Sequence, residues 1–132
     1  MKQTIFMEEY PIFTLEVDKK ECKYQSVDKI IMYFKELIDK DPVAAFIGEF
    51  DHYLHTKSVE GGEVASDIVD AKLVAFCFGP KLPNPQILAI RPRSIGVCEK
   101  AESFVISFLE APMPSINEKM EKWAKALVSN ES

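Results

Sequence analysis

Arginine is almost absent from this chain: of 16 basic residues only two are arginine, Arg91 and Arg93, and the only histidines are His52 and His55. Against them stand 21 acidic residues, giving a net charge of −5. That balance excludes a broad electrostatic role on nucleic acid or an anionic membrane, since phosphate binding is driven by clustered Lys and Arg. Long apolar runs are missing too. The longest, 43–48 and 73–79, fall far short of the roughly 20 residues that span a bilayer. The opening MKQTIFMEEYPIF places acids where a signal peptide needs an apolar stretch, so a soluble, cytoplasmic protein is expected. The three cysteines, Cys22, Cys77 and Cys98, are odd in number and form no CxxC, which argues against a disulfide framework. With five glycines in the chain, no phosphate loop of the Gly-x-x-x-x-Gly-Lys-Ser/Thr type occurs.

What is present is ample apolar material, 47% of 132 residues. It suits one α+β domain over 1–132, with 1–10 and 130–132 read as flexible ends. Residues 12–17 alternate, with Phe13, Leu15 and Val17 on one face of a half-buried strand. Ser26 can cap a helix carrying Val27, Ile30, Ile31, Phe34, Leu37 and Ile38 at helical spacing, and Asp41-Pro42 stops it. The run 43–50 is more continuously apolar and reads as a central strand. A short helix capped by Ser66 or Asp67 is expected before a strand at 72–78. Further strands are expected at 87–90, 95–98 and 104–109. Ser115 and Glu118 suggest a capping box for a final helix with the stripe Ile116, Met120, Trp123, Ala124, Leu127 and Val128. This order predicts an α+β two-layer sandwich: a mostly antiparallel sheet of five to six strands with two main helices packed on one face.

Chemistry concentrates at predicted strand ends. In Asp51-His-x-x-His55, a helical turn would place Asp51 and His55 on one face and His52 beside His55. Two imidazoles and a carboxylate suit a divalent metal such as zinc, or an acid–base pair in which Asp51 orients a His. Alternatively Asp51 simply caps the turn. Arg91 and Arg93, two apart on an extended segment, can converge as a clamp for a small anion, because the guanidinium fork matches carboxylate and phosphate. Surface ion pairs with the chain's own acids are the other reading. The loop 79–85 carries three prolines and Asn84, a pre-formed shape suited to a pocket wall. Cys77 reads as a buried small hydrophobe, and Cys98 as more accessible.

The motifs Phe50-Asp51-His52, Phe78-Gly79-Pro80, Asn84-Pro85, Arg91-Pro92-Arg93-Ser94-Ile95-Gly96 and Phe104 through Pro112 resemble those of bacterial families of small α+β proteins of unknown function. One such family ends a later strand in Phe-Gly-Asn-Pro, whereas here Gly79 is followed by Pro80. The resemblance covers about 43–112 and implies a compact α+β domain that often dimerises, with no established reaction. Three functions therefore stand at this level. The first is a homodimeric domain binding a small anion or metal in a pocket shared by Asp51, His52, His55, the 79–85 loop, Arg91 and Arg93. The others are a hydrolase or lyase using a His/Asp pair, and a protein-interaction module.

Overall fold

The computed structural model describes residues 1–7 and 9–129; the tail 130–132, expected to be flexible, lies outside the described residues. Six strands, β1 (Lys2–Phe6), β2 (Tyr10–Asp18), β3 (Ala44–Asp51), β4 (Asp70–Phe78), β5 (Arg93–Glu99) and β6 (Ser103–Leu109), form one sheet in the order β1-β2-β6-β5-β4-β3. Every neighbouring pair is antiparallel. Helices α1 (Val27–Lys40) and α3 (Pro114–Lys125) supply the second layer, and a short α2 (His52–Ser58) follows β3. The α+β sandwich with two main helices is thus the observed fold.

The apolar spacing explains the layers. In α1, Val27, Ile30, Ile31, Phe34 and Ile38 are all buried, and the Ser26 hydroxyl accepts a hydrogen bond from the Lys29 N–H at 3.1 Å, the expected cap. These side chains meet the inward row Val74, Phe76 and Phe78 of β4, Ile95 and Val97 of β5, and Phe104, Ile106 and Phe108 of β6. Burying each such side chain stabilises the fold by about 1.5–3 kcal/mol. Met120, Trp123 and Ala124 of α3, with Leu127 just beyond its end, close the core, and the Trp123 ring lies 5.6 Å from that of Phe78 and 5.9 Å from that of Phe76.

Several sequence expectations are corrected. Residues 2–6, for which no element is expected, form the strand β1, held by a full antiparallel ladder to β2. Residues 87–90 are not a strand but part of a 3-10 helix, Pro85–Ile90, because Pro85 lacks the N–H a ladder needs and pre-sets the first turn. Residues 66–67 form a turn, and the short helix lies earlier, at α2. The run 43–50 is an edge strand, not a central one: a bulge between Phe46 and Gly48 expels Ile47, which is 56% exposed. Its unbroken apolar character reflects that inserted residue, not burial on both faces. Finally, α3 begins at Pro114, and no side chain caps it. Instead of a box between Ser115 and Glu118, the buried Asn117 reaches back to Ala111. Its Oδ1 accepts from the Ala111 N–H at 2.7 Å and its Nδ2 donates to the Ala111 carbonyl at 2.9 Å.

Candidate functional site

A cavity of about 310 Å³ opens where the chain leaves β4. Its back wall is Phe78, fixed by Trp123 and by the Lys119 ammonium 5.2 Å over the ring. Val43, just before β3, closes one side, and the carbonyl of Val43 accepts from the Gly79 N–H at 3.4 Å. The proline loop contributes Gly79, Pro80, Lys81 and Pro83, and the 3-10 helix contributes Ile87 and Ile90. The remaining wall comes from far along the sequence: Ala111, Pro112 and Met113 after β6, and Ile116 in the first turn of α3. Asn117 holds this last wall through its two bonds to Ala111.

Both arginines line this cavity. The Arg91–Pro92 peptide between them is cis. Arg91 lies against Gly79, where the absence of a side chain leaves room for its guanidinium. Arg93 opens β5 opposite Phe76 of β4, and its Nε and Nη1 are buried with no hydrogen-bond partner. Burial pushes its guanidinium below the ordinary value. Neither arginine joins any ion pair among the described residues, so the reading in which both are spent on the chain's own acids finds no support there. No carboxylate lines the cavity among the described residues. Asn84 precedes the 3-10 helix, is exposed, and does not line the cavity.

The histidine cluster sits elsewhere. Val43 immediately precedes β3 and Asp51 is its last residue, which puts them roughly 25 Å apart at the rise of an extended strand. The single pocket expected to unite Asp51, His52 and His55 with Arg91 and Arg93 is therefore not formed. Asp51 caps α2, its Oδ1 accepting from the Leu54 N–H at 2.9 Å, while Oδ2 faces the Lys72 ammonium at 3.6 Å. The imidazoles of His52 and His55 pack on the Phe50 ring, with centroids at 4.7 and 5.2 Å, and make no hydrogen bond to Asp51. The oriented acid–base pair is thus not assembled. Among the described residues no group of three or more His, Cys, Asp and Glu side chains is placed to hold a metal ion, so the geometry does not bear out the zinc reading.

Burial pushes the Cys22 and Cys98 thiols up, away from the reactive thiolate. Cys77 is half-buried, its Sγ 3.6 Å from the Phe78 carbonyl.

The model of a family of unknown function (DUF6858) matches residues 1–129. The chain belongs to this family. No curated protein and no solved structure matches it. The resemblance drawn from 43–112 thus extends over nearly the whole of this DUF6858 chain, including β1 and α3. No helix among its described residues is long and apolar enough to cross a membrane.

Sequence reasoning found the two arginines and the 79–85 loop of the DUF6858 cavity, but missed Val43, Ile87, Ile90, Met113 and Ile116. The available signal was Ala-Pro-Met-Pro at 111–114, a second proline-rich connector that, like 79–85, lies just past the end of a strand.

Proposed function

We propose that this chain is a small-molecule-binding domain whose ligand is an anion seated between Arg91 and Arg93. One observation carries the reading: a cavity wall holds a guanidinium whose Nε and Nη1 are buried and unpartnered. Burying an uncompensated charge is costly, and protein charges taken out of water are ordinarily paired. Arg93 has no such partner in the described protein; an anion in the cavity supplies a counter-charge to its guanidinium, though not a hydrogen bond to Nε or Nη1, which solvent does not reach, and Arg91 and Lys81 raise the positive potential there.

Titrating small anions, inorganic phosphate and butanoate, into the protein while following backbone amide shifts tests this. Saturable shifts at 79–91 that vanish in Arg93→Met are expected, while the His52→Ala/His55→Ala variant binds as the wild type does. Arg93→Met should leave the melting temperature unchanged or higher, since it removes an unpartnered charge. If no anion binds in an Arg93-dependent way, the reading is wrong.

A further inference from the structure

The chemistry of the remaining cavity wall narrows the ligand further; this step rests on the anion reading above. Apart from the cations Lys81, Arg91 and Arg93, the side chains lining the cavity are apolar, and among the described residues none carries a hydroxyl, amide or carboxylate. A sugar phosphate or nucleotide would have to bury hydroxyls against hydrocarbon without side-chain partners, which binding sites avoid because each unpaired polar group costs affinity. A bare inorganic ion would leave the greater part of the wall facing water. Three lining residues, Val43, Ile90 and Met113, are 42%, 42% and 56% exposed, and they await an apolar surface.

We infer that the ligand is an amphipathic anion: one oxyanion head at the arginines and an unbranched or compact apolar body laid between Ile87, Ile90, Met113 and Ile116. The volume sets its length. At about 30 Å³ for each water-sized unit, a cavity of about 310 Å³ accepts on the order of ten non-hydrogen atoms. A medium-chain carboxylate or alkyl phosphate matches this space, and a longer chain would extend beyond it into solvent. The arginine fork accepts carboxylate and phosphate heads alike.

The test is a series of straight-chain carboxylates from butanoate to dodecanoate, with octyl phosphate and octan-1-ol alongside. All are titrated below their micelle concentrations into wild type and Arg93→Met. Affinity should rise roughly fourfold with each added methylene, and it should level off between octanoate and decanoate as the chain fills the cavity. Octan-1-ol should bind at least tenfold more weakly than octanoate. In Arg93→Met octanoate should fall to the level of the alcohol. Octyl phosphate against octanoate decides which head is preferred, and binding of either supports the proposal. Equal, Arg93-dependent affinity from butanoate to dodecanoate would overturn the amphipathic ligand and leave the anion site standing. Affinity that climbs with chain length but is the same for octanol, octanoate and the Arg93→Met variant would overturn the anion site itself. Steady gain through dodecanoate with no plateau would overturn the size limit set by the cavity.

Discussion

The guanidinium of Arg91 occupies the space that a side chain on residue 79 would fill: a Cβ on Gly79 would stand 2.7 Å from Nη1 and 2.8 Å from Cζ. The glycine after β4 therefore serves as the seat for one half of the arginine pair.

Gly79→Ala should displace Arg91 rather than the backbone, because the clashing atoms are the far end of a flexible side chain. The expected result is a melting temperature within a few degrees of wild type together with a loss of anion affinity of about tenfold, the scale of one charge-assisted hydrogen bond. Thermal unfolding and the same anion titration read the two effects separately. A large loss of stability with unchanged affinity would show that Gly79 serves the backbone instead.

Asn117→Ala should cost about 2–3 kcal/mol, because both backbone groups of the buried Ala111 lose their partners at once. Its effect should extend to the cavity, since Ala111 through Met113 form one wall. Denaturant unfolding checks the stability. Amide shifts at 111–113 in the folded variant check the wall.

Asp41 ties the end of α1 to α3. Its Oδ2 meets the Lys119 ammonium at 2.6 Å and its Oδ1 accepts from the Val43 N–H at 2.9 Å. Burial alone would raise this carboxyl, but Lys119 and the backbone donors outweigh it and hold the group below its ordinary value of 3.8. A lowered carboxyl contributes stability that is fully present above the ordinary value and is lost as pH falls through the folded one. Wild type should therefore lose stability below about pH 4 more steeply than Asp41→Asn, whose neutral amide still accepts from Val43. At pH 7 the variant should be less stable by about 2 kcal/mol. Unfolding midpoints between pH 2.5 and 7 provide the comparison.

Tyr33 gives the alkaline counterpart. Its hydroxyl donates to the Trp123 carbonyl at 2.7 Å, and burial, with the neighbouring Tyr24, pushes it up to about 12. A raised group stabilises fully below its unfolded value near 10, and that contribution falls away as pH rises towards the folded value. Tyr33→Phe should cost about 1 kcal/mol at neutral pH. The gap between variant and wild type should narrow between about pH 10 and 12, as unfolding measured at both ends of that window will show.

Features that rest on local periodicity are legible in the chain alone. The stripe of α1, its Ser26 cap, its stop before Pro42, the alternation of β2 and the apolar face of α3 depend on residues within a turn or two of each other, so their spacing is enough to read them. The chain alone also isolates the arginine pair, because the rarity of a residue type is visible without a fold. Tertiary structure decided everything that depends on which segments meet. The apolar run of β3 suits a centre or a bulged edge equally, and only the ladder to β4 alone makes it an edge. Clustering along the chain placed His52 and His55 beside a carboxylate, but an extended β3 carries that group to the opposite end of the sheet from the arginines. The cavity draws its walls from segments as distant as Val43, Gly79, Arg93 and Ile116, and no local pattern encodes a meeting that only the shared burial of their apolar surfaces brings about.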